Sequence, residues 1–80
     1  MTEDLARLVA VTGFRSSAML GDLVPLLKQH CDDADYQAFR DSIAQAMTAI
    51  ETLVTSKAKA LVPGLDAEWA AKVNTYGRVF

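Results

Sequence analysis

The residues best able to do chemistry fall together. His30, the only histidine of the chain, precedes Cys31, the only cysteine, and Asp32, Asp33 and Asp35 follow. An imidazole and a thiolate can ligate a transition metal or form a nucleophile with its base, and clustered carboxylates can hold a hard cation. Each reading fails on spacing. Neighbours on a helix diverge by about 100°, so His30 and Cys31 cannot grip one ion together, and a four-ligand zinc site lacks donors. A calcium loop counted from Asp33 needs glycine at its sixth position and glutamate at its twelfth, where this chain has Ala38 and Ala44. The simpler expectation is punctuation. His30 sits where the negative end of a helix dipole favours it, Cys31 is a small hydrophobe, and the aspartates open the next helix.

Two other chemistries fail on their residues. An acyl-carrier serine wants a G-x-D-S-L setting at the start of a second helix. The nearest stretch, Gly13 to Ser17, has Arg15 in place of the aspartate and Ser17 in place of the leucine, and it lies too early. A phosphotransfer histidine usually has a small residue and a lysine after it, whereas Lys28 precedes His30 and two aspartates come close behind. No nucleophile, base and oxyanion donors can be named together, so the chain is expected to be no enzyme and to need no metal or cofactor.

The elements around these residues all read as helices. Two prolines, four glycines and no alternating β-branched runs leave little room for strands. Thr2 caps a first helix with Glu3 and Asp4 in its first turn, and Leu5, Leu8, Val9, Thr12, Met19 and Leu20 follow a helical stripe to about residue 20. Gly13 either stays inside that helix or breaks it. Gly21 and Asp22 read as a stop and a cap, with Pro25 in the first turn of a short second helix from Leu23 to about Cys31. From Asp33 the pattern is regular to Val62, with Tyr36, Phe39, Ile43, Ala46, Ile50 and Leu53 on one seam and Met47, Val54 and Leu61 widening it. Pro63 and Gly64 end this helix, and Asp66 caps a last one carrying Trp69, Val73, Tyr76 and Phe80.

The third helix, of about 29 residues, would be roughly 43 Å long. A globule of 80 residues has a diameter of roughly 30 Å. The helix should therefore overhang its own domain. Between Ser42 and Ser56 its only charge is Glu51, and Ala38, Ser42 and Ala46 would let another helix come close. One cysteine allows no internal disulfide, and 13 of the apolar residues are alanines, so a small core needs outside support. The expected fold is an all-α single domain, a bundle of three to four helices with one long central helix, completed by dimerisation. Tyr36, Phe39, Ile43, Met47, Ile50, Leu53 and Val54 are its expected dimer or partner interface.

Function is bounded more than named. A net charge of −2, with no Lys/Arg cluster in either half, disfavours direct nucleic-acid binding. No apolar run approaches a membrane span, the acidic start does not resemble a secretory signal, and an unpaired thiol suits a reducing cytoplasm. The leading expectation is a non-catalytic interaction module, a small cytoplasmic regulator or adaptor that binds another macromolecule as a homodimer. The rival is a binding protein for a small apolar ligand in an aromatic groove of Trp69, Val73, Tyr76 and Phe80.

Overall fold

The computed structural model describes residues 1–79, and Phe80 lies outside them. Every regular element among the described residues is helical. Helix α1, Glu3–His30, starts as expected, with Thr2 Oγ1 accepting from the Leu5 N–H at 3.2 Å. Helix α2 runs as Asp33–Ile50, passes through a π-helical turn, Glu51–Thr55, and ends as Ser56–Lys59. Helix α3 is Leu65–Tyr76. The fold is thus three helices, two of them long and packed side by side, with the third laid over one end.

The expected stop at Gly21 is absent, and α1 continues through Gly13, Gly21 and Pro25. Both glycines face α2. A Cβ on Gly13 would come within 2.5 Å of Thr55 Oγ1, and one on Gly21 within 3.2 Å of Met47 Cε. These glycines answer to the helix crossing rather than to a turn. Pro25 removes the N–H that would reach the Gly21 carbonyl, yet helical bonding closes beyond it, where the Cys31 N–H donates to Leu27 O at 2.9 Å. There are consequently two long helices, where the sequence suggested one.

The face that α1 presents to α2 is made of small residues. Ala6, Ala10 and Gly13 are buried, whereas Leu8 and Met19 on the other stripe are 60% and 71% exposed. Small side chains let the two backbones approach, and the bulky stripe is left outside. On α2 the inward positions are Ile43, Met47 and Ile50, then Thr55, Ala58 and Val62. The step of five from Ile50 to Thr55 is the π turn, which takes up one extra residue. Without it the stripe would continue through Val54 and Leu61, and both of these are exposed.

Helix α2 ends at Lys59, three residues before the expected stop, in tight turns at Leu61 and Val62. Gly64 follows with φ 81, a left-handed conformation that glycine adopts without strain. Helix α3 begins one residue before the expected cap, and Asp66 lies inside its first turn, paired with Lys59 Nζ at 2.6 Å. Gly77, φ 74, closes it, its N–H donating to Val73 O at 2.8 Å.

The core is small and sits at one end. Ala6, Ala10, Ala58, Val62, Leu65, Trp69 and Val79 form it, with Val9 and Val11 packed against it. Arg7 ties α3 to α1 through a two-pronged pair with Glu68, at 2.9 and 3.2 Å, and also meets Glu3 and Asp4. Toward the α1–α2 connection the two long helices lean on each other alone, with Ile43 the one large residue there that is fully buried among those described.

Candidate functional site

The HCDD stretch is the connection between the long helices. Asp32 Oδ1 accepts from the Asp35 N–H at 2.8 Å, capping α2, while Asp33 and Asp35 lie in its first turn. His30 occupies the last turn of α1 and Cys31, half-buried, is its C-cap. Among the described residues no three His, Cys, Asp or Glu side chains group as a metal site would require.

Trp69 and Tyr76 lie seven residues apart on α3 and are treated differently. Trp69 is 9% exposed, its ring 5.5 Å from that of Phe14 at 61°, with Lys59 Nζ 5.3 Å from its centroid. Tyr76 is 74% exposed beside an open hollow that it shares with Lys72, Arg78 and Val79. Val73 is also exposed. The expected aromatic groove is therefore divided, one ring closed into the core and the other on the surface, and Phe80 is not among the described residues.

The expected interface residues of α2 also separate into two sets. Ile43 is buried and Tyr36, Met47 and Ile50 are half-buried, Met47 reaching the Gly21 backbone, so these serve the contact with α1. Phe39, Leu53 and Val54 remain exposed. Missing from the expected set is the outer stripe of α1: Leu5, Leu8, Met19, Leu23 and Leu26, all exposed. Its spacing of three and four was legible. Which of α1's two stripes would be buried was not, because the small-residue face carries little hydrophobicity.

These positions define two broad faces. On one, α3 meets α1 at Arg7 and Phe14, and beyond it Phe14, Ser17, Ala18, Met47, Thr48 and Glu51 line a shallow hollow. On the other, Val9 shares an apolar hollow with Leu53, Val54 and Leu61, and farther along α1 Ser16, Met19, Leu20 and Leu23 line another. No described helix covers this second face. The whole measures 45 × 27 × 14 Å between Cα extremes. The short dimension equals about one interhelix spacing of 8 to 10 Å plus one Cα cylinder, so the fold is at most two helices thick.

Electrostatics are concentrated where α3 meets α1. The hydrogen bond from Arg7 holds the Glu68 carboxyl below its ordinary range, against some desolvation, and Glu68 in turn raises the Arg7 guanidinium. These groups latch one helix to another and face no cleft. No described helix is long and apolar enough to cross a membrane. Set against protein-family models, curated proteins and solved structures, the chain matches none of the three.

Proposed function

We propose that the chain is a non-catalytic helical interaction module, a small cytoplasmic regulator or adaptor that works as a homodimer and offers its remaining helical surface to another macromolecule. One observation carries the reading. The chain exposes 5654 Å², whereas a folded monomer of 8.7 kDa exposes about 4,700 Å². The excess of roughly 900 Å² is close to the area each partner contributes to a standard interface, about 800 Å². A radius of gyration of 15.0 Å, against about 12 Å for a compact chain of this length, points the same way.

The surface that would be covered is apolar and helical, which suits a helix-to-helix contact. Leu5, Leu8, Met19, Leu23 and Leu26 on α1 and Phe39 and Leu53 on α2 are large apolar side chains left exposed along both long helices. The rival reading, a small apolar ligand held near Trp69 and Tyr76, requires both rings at one cleft. It loses support because Phe14 and Lys59 close over Trp69.

Sedimentation equilibrium at micromolar concentration tests the proposal. A mass about twice the 8.7 kDa of the chain is expected. A well-folded monomer persisting to about a millimolar would overturn it.

A further inference from the structure

We infer that the second copy seats on the face opposite α3, so that the two α1–α2 pairs stack into a four-helix core with α3 of each copy on the outside. The inference rests on the homodimer reading above and says which surface performs it. Leu8, Val9, Met19, Leu23, Phe39 and Leu53 are its principal contacts.

Area favours this face. Helix α1, of 28 residues, is roughly 42 Å long, and two helices side by side are roughly 20 Å across with their side chains, so the open face of the pair offers about 800 Å², and a contact over the whole of it matches the area of about 800 Å² per partner in a standard interface. The other broad face cannot supply this, since α3 already occupies part of it.

Charge favours it as well. Between Ser42 and Ser56 the only charge on α2 is Glu51, and it lines the hollow on the α3 side, beside Phe14. On α1 the charges between Asp4 and Lys28 are Arg7, Arg15 and Asp22. Arg7 is turned to Glu68 on α3, whereas Arg15 stands about 20° from Leu8 by helical spacing, with Asp22 close by on the outer edge of α1, and Lys57 borders the hollow of Val9 and Leu53. The centre of the open face, around Thr12, Ser16, Leu20 and Ala46, carries no charge and its edges do, which is the arrangement of an interface core and rim.

The order of side-chain sizes selects a copy of this chain over a different partner. Both helices carry bulky side chains toward their ends and small ones at mid-length. On α1, Leu5 and Leu8 give way to Thr12 and Ser16 and then to Met19 and Leu23; on α2, Phe39 gives way to Ser42, Ala46 and Ala49 and then to Leu53. The pattern reads nearly the same in both directions. A two-fold operation that reverses helix direction brings small over small at the centre, where backbones approach, and bulky over bulky toward the ends.

The full chain with substitutions on each face tests this. Met19→Lys and Leu8→Lys alter residues the single chain leaves mostly exposed, so far-UV circular dichroism should stay helical while the sedimentation mass falls to that of the monomer. Ala18→Lys, in the hollow on the α3 side, should leave the dimer intact. A second measurement does not depend on lysine variants folding. In a Cys31→Ala background, Met19→Cys should react with a maleimide at least ten-fold more slowly than Ala18→Cys in the dimer, and the difference should vanish on dilution to monomer. A dimeric wild type in which Ala18→Lys breaks association and Met19→Lys does not, or in which the two thiols react equally, overturns the choice of face and leaves the homodimer standing. A monomeric wild type removes both.

Discussion

At the scale of single residues, Thr55 is the point where the fold is most constrained. It is 1% exposed, and its hydroxyl is buried without a hydrogen-bond partner, pressed against the Gly13 backbone. A buried hydroxyl that makes no hydrogen bond loses its hydration for nothing, at about 1 to 3 kcal/mol. Thr55→Val keeps the shape and removes the polar atom, so it should raise stability by about 1 kcal/mol, read as a higher urea midpoint with an unchanged slope. A clear loss would mean that the hydroxyl does work the geometry does not display. Glu68 makes a prediction of opposite character. Its folded value lies below the ordinary one because Arg7 donates to it, so its contribution is present above the unfolded value and lost as pH falls through the folded value. Glu68→Gln should therefore weaken the protein at neutral pH, and the gap to the wild type should close in acid. Urea melts at several pH values would show it, and a gap that persists unchanged in acid would contradict the assignment. The chemistry of HCDD was legible at this scale, since capping by Asp32 depends only on local spacing. Thr55 was not, because nothing near it in sequence announces that Gly13 will lie opposite.

At the scale of elements, helix type and the main caps could be read from sequence, while helix continuity and register could not. Thr2 and Asp32 cap as their neighbours suggest, whereas Asp66 lies inside the first turn of α3 instead of capping it. Gly21 misled because a glycine before Asp22 and Pro25 resembles a helix end, and only the packing of Met47 against it shows the other use of a missing side chain. The seam of α2 misled in the same way past Ile50. A periodic pattern predicts Val54 and Leu61 inward, but α1 offers Ala6, Ala10 and Gly13 there, and the π turn brings the smaller Thr55 and Ala58 round to meet them. A π turn is one residue more than an α-helix needs, and this yields a sharp prediction. Deleting Thr52 should convert Glu51–Thr55 to regular α-helix while keeping Thr55, Ala58 and Val62 in place, and stability should change by no more than about 1 kcal/mol. Deleting Ala46, within regular helix, rotates everything beyond it by about 100° and should cost several times as much. Urea denaturation of the two deletions decides the matter. Equal losses would show that the turn is fixed by contacts on both sides rather than by the extra residue.

At the scale of the whole molecule, the question is what holds two long helices together where no third helix helps. Between Phe14 and Ile50 the pair buries Ile43, while Met47 and Ile50 are half-buried and Phe14, Met19, Leu23, Leu26 and Phe39 are exposed. Trp69, Leu65, Val62 and Val79 are gathered at the other end, so this stretch offers little transfer free energy, about 0.8 kcal/mol per buried methylene, to set against the ordering of its residues in long helices. The length of α2 was legible in the sequence, but it does not overhang its domain, because α1 runs beside it at nearly the same length. The covering face was not, since bulk and burial point opposite ways on α1. If a second copy supplies the missing apolar contact, association is coupled to folding, and stability must depend on protein concentration. For a dimer that unfolds to two chains, each ten-fold rise in concentration adds about 1.4 kcal/mol to the apparent stability. For a chain of this size that corresponds to a rise in Tm of several degrees per decade. Thermal melts from about one to one hundred micromolar should show the shift in the wild type. Met19→Lys should melt lower and at the same temperature throughout, because the side chain that loses its apolar contact is one the single chain already leaves in water. A wild-type Tm that does not move with concentration would instead place the whole stability in the single chain, and the open face would then have to be tolerated by the α1–α2 contact alone.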